Sequence, residues 1–208
     1  MEESPRQRNG TNRTNGTHKP EESRIIPPHG GYRNLKSYQA AEIIYDATNA
    51  FCARFINPRS RTFDQMVQAA RSGKQNIAEA SQDSGTSKKT ELKLTGVARG
   101  SLQELLEDYK DFLRQRNLPI WPKEHPQAEA IRRLAYQSDR SYSSYQSYVE
   151  ESPSEVAANT MLCLIHQANY LLDRQLESLE RQFLEEGGFT ERLYRARTQH
   201  RRSQSNSP

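Results

Sequence analysis

Apolar residues recur at alternating steps of three and four residues in four long segments of this chain. That spacing places the apolar side chains on one face of an α-helix, because an α-helix turns once in about 3.6 residues. None of these segments shows the two-residue alternation that is typical of a half-buried strand. The connections after the first two segments are short, which favours antiparallel neighbours. The sequence therefore predicts an all-α protein, an antiparallel four-helix bundle with helices at about 35–56, 62–82, 87–116 and 153–186.

The remaining segments have a different composition. Residues 1–33 are polar and contain almost no apolar side chains, so we expect a disordered N-terminal tail. Residues 118–151 are expected to form a helical insert between the third and fourth helices of a bundle that spans residues 34–188. Residues 189–208 are expected to begin as a helical turn and to continue as a basic, disordered C-terminal tail. The low hydrophobic content of 33% and the mean hydropathy of −1.01 agree with disordered termini around strongly amphipathic helices.

Several classes of protein are not expected from this sequence. No run of eighteen apolar residues occurs, and the polar N-terminus lacks the apolar core of a signal peptide, so we expect a cytoplasmic protein without a membrane span. Cys52 and Cys163 lie in apolar helical runs and are interpreted as buried thiols. The formal net charge of +4 permits a nucleic-acid partner without requiring one.

The residue patterns of catalysis and of metal binding are also missing. No Glu-X-X-His pair of the kind used by two-metal helical bundles occurs, and the five histidines are scattered along the chain. No Gly-X-Ser-X-Gly motif occurs, and neither cysteine has a histidine partner that the sequence can justify. We therefore expect no enzymatic activity, no metal and no cofactor.

Glycines inside the second and third helices require a physical reason, since each costs about 1 kcal/mol of helix stability relative to alanine. If these helices form an antiparallel hairpin that turns near Ser84, Gly73 lies opposite Gly96 and Ala69 lies opposite Gly100. Small residues facing one another would let the two backbones approach closely. A cofactor loop is the alternative, but the glycines match neither a phosphate-binding nor a dinucleotide-binding pattern.

Asn76 and Glu79 are polar residues in the same part of the second helix, and they share a face because they are three residues apart. A structural role would pair Glu79 with a lysine or with a backbone donor at the start of the third helix; the lysines in question are Lys88, Lys89 and Lys93. A functional role would make Asn76 and Glu79 a carboxylate–amide site in the bundle.

Two groups of basic residues are candidates for nucleic-acid binding. The first lies on the second and third helices near the turn: Arg71, Lys74, Lys88, Lys89, Lys93 and Arg99. The second lies in the C-terminal tail: Arg192, Arg195, Arg197, Arg201 and Arg202. Each group could contact phosphates, and each could equally be a solvated face or a solubilising tail. Aromatic residues of the insert could stack on bases or pack the insert on the bundle, namely Trp121, Tyr136, Tyr142, Tyr145 and Tyr148.

Residues 35–116 resemble the four-helix-bundle proteins that are related to those encoded in intervening sequences of bacterial 23S rRNA genes. Three short motifs carry the resemblance, in the order N-I-A-E, S-x-x-E and A-x-G-S-x-x-E. In this sequence the first is matched by Asn76, Ile77, Ala78 and Glu79, and the third by Ala98, Gly100, Ser101 and Glu104. The second corresponds to Ser87, Lys88, Thr90 and Glu91, where the glutamate is displaced by one residue from its place in the family motif. Ala80 stands where the family has a glycine. The later part of the chain resembles the subgroup with a C-terminal suffix domain.

The resemblance implies an antiparallel four-helix bundle, often a homopentamer, without an established enzymatic activity. A related branch, the accessory variability determinant of diversity-generating retroelements, is a basic ring that binds nucleic acid and a reverse transcriptase. From the resemblance we expect a homo-oligomer that binds RNA, DNA or a nucleic-acid-handling protein. The alternative is a scaffold subunit that binds another protein and no nucleic acid.

Overall fold

The computed structural model describes Ile26 and residues 28–205, and within these residues it contains helices and no strand. Six α-helices follow one another along the chain, accompanied by short 3-10 and π-helical turns. They are α1 (Lys36–Phe55), α2 (Arg61–Asp83), α3 (Lys88–Gln115), α4 (Pro126–Leu134), α5 (Ser154–Glu186) and α6 (Phe189–Ser205). The prediction of an all-α protein is confirmed for the described residues.

Each of the four long helices α1, α2, α3 and α5 packs along two of the others. α2 lies between α1 and α3, and α5 contacts both α3 and α1. The Ser37 hydroxyl donates to Gln175 Oε1 at 2.7 Å, and at the other end of α1 the Arg54 guanidinium donates to the Ser152 carbonyl at 3.1 Å. α1 and α5 therefore run in opposite directions.

Aromatic rings fill the centre of the core between α1 and α3. Phe51 lies with its ring centre 4.9 Å from those of Tyr109 and Phe112. The buried Tyr109 hydroxyl donates to Thr48 Oγ1 at 3.2 Å, which satisfies the polar end of that ring. Both cysteines are free thiols, as expected; Cys52 is buried and Cys163 is half-buried.

The segment between α3 and α5 is fastened to the start of α5 by hydrogen bonds. The Trp121 backbone N–H donates to Asn159 Oδ1, and its indole N–H donates to Glu155 Oε1, both at 2.9 Å. Asn159 Nδ2 donates in turn to the Pro119 carbonyl at 3.0 Å. Asn159 is buried, and its side-chain amide provides the hydrogen-bond partners of the Trp121 N–H and the Pro119 carbonyl.

Most of the aromatic residues in the segment between α3 and α5 pack against the rest of the protein, which was the alternative to stacking on bases. Tyr145 is buried, and Tyr142 donates its hydroxyl to Glu150 Oε1 at 2.6 Å. Tyr148 is half-buried against the core. Only the Tyr136 ring, 89% exposed, is presented fully to solvent among these tyrosines.

The last residues of the segment predicted as a tail contact the helices. Most of the tail predicted over residues 1–33 lies outside the described residues, but Gly30 and Tyr32 pack on α2 and α1. Gly30 and Ser81 exchange two hydrogen bonds, at 2.9 and 3.0 Å, and the Tyr32 ring meets Tyr38 with centres 4.7 Å apart.

The C-terminal segment is a helix over Phe189–Ser205 where a helical turn and a disordered tail were predicted. Gly187, at a φ of 75°, ends α5, and α6 begins two residues later. Arginine, leucine, alanine and glutamine are good helix formers, so the segment forms a helix in spite of its high positive charge. Residues 206–208 of the predicted tail lie outside the described residues. No described helix is long and apolar enough to cross a membrane.

Candidate functional site

The basic residues predicted as one patch on α2 and α3 do not form a single surface. Lys74 points to α1, where its ammonium lies 4.3 Å from the centre of the Tyr45 ring in a cation–π contact. Arg71, three residues earlier on the same face, is exposed. Lys74 therefore belongs to the seam between α1 and α2, whereas Arg71 faces solvent.

Two other members of the patch are neutralised by carboxylates. The Lys88 ammonium lies 2.9 Å from Glu91 Oε2, with both side chains largely buried at 15% and 10% exposure. Arg99 Nε donates to Asp173 Oδ1 of α5 at 2.9 Å. Cations that are already paired have less attraction left for a phosphate. On α3, the members of the predicted patch that face solvent are Lys89 and Lys93, which are four residues apart.

The C-terminal arginines lie together on α6, of which no residue is buried. Arg192 Nη2 donates to the Gly85 carbonyl at 3.3 Å and so holds the start of α6 at the α2–α3 turn. α6 carries five arginines and one acid, Glu191, which gives it a formal charge of +4. The whole chain also has a formal net charge of +4, so residues 1–188 carry no net charge.

The arginines of α6 occupy two sides of the helix. Arg197 and Arg201 are four residues apart and share one side, which they form with the exposed Leu193. Arg195 and Arg202 are seven residues apart, two helical turns, and lie on another side. α6 can therefore present cations to two different partners.

The glycines of the family-like motifs do not face one another. A Cβ at Gly73 would lie 2.7 Å from Leu102 Cδ2, so Gly73 does allow α2 and α3 to approach closely. A Cβ at Gly96 or Gly100 would meet no atom within 4 Å, so the predicted pairing of Gly73 with Gly96, and of Ala69 with Gly100, is wrong.

The physical reason is the position of the turn. α2 continues to Asp83 and α3 begins at Lys88, each one residue later than predicted, with Ser87 as the N-cap of α3 accepting from the Thr90 N–H at 3.1 Å. Ser72 therefore faces Ser101, which centres the hairpin two residues later than Ser84. This later register moves Gly96 and Gly100 of α3 away from α2.

Polar residues of the same motifs meet along the seam between α2 and α3. The Ser72 and Ser101 hydroxyls are 3.0 Å apart, and Asn76 Nδ2 donates to the Ser72 carbonyl at 2.9 Å and to its hydroxyl at 3.1 Å. Asn76 thus has a structural role. Glu79 is exposed and makes no hydrogen bond or ion pair to a described residue, so its predicted pairing with a lysine of α3 is wrong, and it does not join Asn76 in a site.

A shallow cleft of about 650 Å³ continues this seam between the first half of α2 and the middle of α3. We call it the acidic groove. Its charged and hydroxyl-bearing lining residues are Arg61, Asp64, Ser72, Ser101, Glu104 and Asp108. Three carboxylates against one guanidinium give the groove a formal charge of −2. Partial burial raises the pKa of Asp108, and the nearby charges of Asp111 and Glu104 raise it further.

Glu104 was singled out from the sequence as a motif residue, whereas Arg61, Asp64 and Asp108 were missed. Glu104 and Asp108 are four residues apart, so a helical projection of α3 places them on one face. The third acid, Asp64, comes from the first turn of α2, where an acid is ordinarily explained by the helix dipole. Asp64 joins the groove only in the observed register of the α2–α3 hairpin, and this register was not predicted from the sequence.

The described residues include no cluster of three histidine, cysteine or acidic side chains that could hold a metal ion. Burial raises the pKa of the Cys52 thiol to about 12, so this thiol stays protonated at neutral pH. Burial also raises the pKa of Cys163.

No protein-family model matches the chain, and neither a curated protein nor a solved structure does. The resemblance to the intervening-sequence proteins therefore stays a prediction that rests on the motif residues. The function has to be argued from the surfaces described above.

Proposed function

We propose that α1, α2, α3 and α5 form an antiparallel four-helix bundle into which α4 is inserted, and that the protein is a non-enzymatic, self-associating one that binds nucleic acid through α6. The arrangement of the bundle is supported by the cycle of contacts from α1 to α2, α3, α5 and back to α1. Self-association, as a pentamer in the family it resembles, is supported by the motif residues. The proposal includes no cofactor and no metal.

The observation that carries nucleic-acid binding is the charge of α6. The entire net positive charge of the chain lies on this one helix, and none of its residues is buried. Arginines on an exposed helix can replace the counterions of a phosphate backbone, and the release of those ions drives binding. A helix that is polar on nearly all sides and buries no face gains little stability from its own packing, so a partner would stabilise it.

Charge reversal in the full-length protein tests this role. We expect Arg195→Glu together with Arg202→Glu to weaken binding of a fluorescently labelled structured RNA by about tenfold or more, because two phosphate contacts become repulsive. The measurement is fluorescence anisotropy at low salt, with a DNA duplex of equal length to compare RNA with DNA.

A matched control removes the same amount of charge elsewhere. Arg114→Glu together with Arg174→Glu changes two exposed arginines that pair with acids of their own helices. This double variant should bind RNA nearly as well as the wild type. Equal weakening by both double variants would mean that only the total charge matters, and the assignment to α6 would be wrong.

A protein-binding scaffold without nucleic-acid binding is the second candidate function. It is favoured by exposed apolar side chains on both sides of the corner between α5 and α6, namely Phe183, Leu184, Leu193 and Tyr194. If the wild type does not bind RNA or DNA at low salt, this function replaces the first.

A further inference from the structure

α6 is a helix without a buried residue, and the side that carries Arg197 and Arg201 makes no ion pair with a described residue. The acidic groove presents the complementary charge. Its carboxylates exceed its one guanidinium by two, and Ala69, Ser72 and Ser101 line it with small side chains. Small lining residues allow the side chains of another helix to reach the carboxylates.

The spacing of the charges on the two elements agrees. Glu104 and Asp108 are four residues apart on α3, and Arg197 and Arg201 are four residues apart on α6. At about 1.5 Å of rise per residue, each pair spans about 6 Å. Two helices laid side by side can therefore form both arginine–carboxylate pairs at once, and arginine is well suited to such pairs because its planar guanidinium can donate two parallel hydrogen bonds.

The length of α6 also agrees with the length of the groove. α6 has 17 residues. At about 1.5 Å per residue it is about 25 Å long. The groove follows α2 from Arg61 to Ser72. Those eleven steps correspond to about 17 Å, so one copy of α6 can cover the groove from end to end.

The groove of its own chain is out of reach of these arginines. The start of α6 is held at the α2–α3 turn, where Arg192 contacts Gly85. Arg201 lies nine residues further, about 14 Å along α6. Glu104 and Asp108 lie 16 and 20 residues beyond Lys88, the first residue of α3. That is about 24 and 30 Å from the turn, whereas Arg201 lies only about 14 Å from it. Arg197 and Arg201 therefore cannot pair with both Glu104 and Asp108 of their own chain.

We infer that α6 of one copy docks in the acidic groove of a second copy, with Arg197 and Arg201 facing Glu104 and Asp108. The inference rests on the self-association that is part of the proposed function. Residues 1–188 carry no net charge, so α6 alone holds the chain's net positive charge and is the element that complements the acidic groove. Since Arg197 and Arg201 cannot make both pairs in the groove of their own chain, the occupant is α6 of a second copy. Such a contact joins two different surfaces, and its repetition produces a ring when the rotation closes. The side with Arg195 and Arg202 stays outside the contact and remains available to phosphates.

The test uses two charge-reversed variants of the full chain. One reverses the groove (Glu104→Arg with Asp108→Arg), and the other reverses the helix (Arg197→Glu with Arg201→Glu). Sedimentation velocity over a concentration series gives the dissociation constant of self-association, and circular dichroism checks that each variant is folded. We expect the wild type to associate and each variant alone to associate at least tenfold more weakly.

An equimolar mixture of the two variants is the decisive measurement. In the mixture each arginine-bearing α6 meets an acidic groove, and each glutamate-bearing α6 meets an arginine-bearing groove. Association should therefore return to within a few-fold of the wild type. The matched control, Arg195→Glu with Arg202→Glu, should associate like the wild type because its reversed charges lie on the other side of α6.

The outcomes separate this inference from the proposed function. If the wild type associates and both variants associate equally well, self-association stands and docking of α6 in the acidic groove is wrong. If each variant fails to associate and their mixture also fails, the pairing of these residues is wrong. If the wild type remains monomeric at its highest soluble concentration, self-association fails and the inference fails with it.

Discussion

Replacing Gly73 by alanine tests how closely α2 and α3 approach. A Cβ built on Gly73 lies 2.7 Å from Leu102 Cδ2 and 2.9 Å from Leu102 Cγ, distances that real Cβ atoms essentially never show. Leu102 is completely buried, so its side chain can move only against its packed neighbours. The substitution therefore forces a shift of a packed side chain or of one of the two helices.

Two opposing effects determine the size of the change. Insertion of a methyl group into a well-packed core costs about 1–3 kcal/mol. Alanine is better than glycine in a helix interior by about 1 kcal/mol. We expect Gly73→Ala to lower the free energy of unfolding by about 1 kcal/mol, with the steric cost exceeding the gain in helix propensity.

Gly96 and Gly100 provide matched controls within α3. An added Cβ at either position meets no atom within 4 Å, so Gly96→Ala and Gly100→Ala gain the helix propensity without the clash. Each should raise the free energy of unfolding by about 0.5–1 kcal/mol. The assay is urea unfolding of all three variants, followed by far-ultraviolet circular dichroism.

The sign of the change in the free energy of unfolding at Gly73 tests whether α2 and α3 approach closely there. If Gly73→Ala stabilises the protein as much as Gly96→Ala does, the close approach of α2 and α3 at Leu102 is wrong. If Gly100→Ala destabilises the protein at concentrations where copies associate but not in dilute solution, the face of Gly100 is covered by another copy.

Three further predictions concern single residues, each measured by urea unfolding. Asn159→Ala leaves the Trp121 N–H and the Pro119 carbonyl without partners. An unsatisfied buried group costs about 1–3 kcal/mol, and because Trp121 is half-buried whereas Pro119 is exposed to water, about one such cost applies. The loss should therefore be about 1–3 kcal/mol, and a loss below about 0.5 kcal/mol would contradict it. Glu91→Gln removes the negative charge that faces the largely buried Lys88 ammonium and should cost about 1.5 kcal/mol. Glu177→Gln in an exposed pair should cost almost nothing, and equal costs of the two substitutions would refute the contrast. The pKa of Cys52 is raised from 9.0 to about 12, so the unfolded state loses this proton first and stability should fall as the pH rises from about 9 to about 12. Cys52→Ala should show a shallower fall, and an unchanged slope would exclude this cause.

The positions of the long helices could be predicted because they follow from local patterns. Burial of Phe51, Tyr109 and Phe112 agrees with the apolar stripes that the sequence shows. The helical structure of α6 was not predicted, because its helix-forming residues are interleaved with arginines, and that charge suggested a disordered tail. No apolar stripe compensates for that charge, and α6 buries none of its residues.

The candidate site depends on the register of the α2–α3 hairpin, which a single sequence specifies poorly. A turn predicted two residues too early paired Gly73 with Gly96 and brought Glu79 near the start of α3. In the structure Ser72 meets Ser101, and this register brings Glu104 and Asp108 beside the start of α2. The basic patch was similarly predicted from sequence proximity, although Arg99 turns to α5 and meets Asp173 there.

The most direct test of the central claim is the salt dependence of RNA binding by the full-length protein. Anisotropy titrations at several salt concentrations give the slope of log affinity against log salt, which reports how many phosphates are neutralised. The proposed function predicts a linear decrease, with a slope that becomes shallower by about 1.5 when Arg195 and Arg202 are both reversed. Binding that is insensitive to salt, or no binding at low salt, would contradict the proposed role of α6.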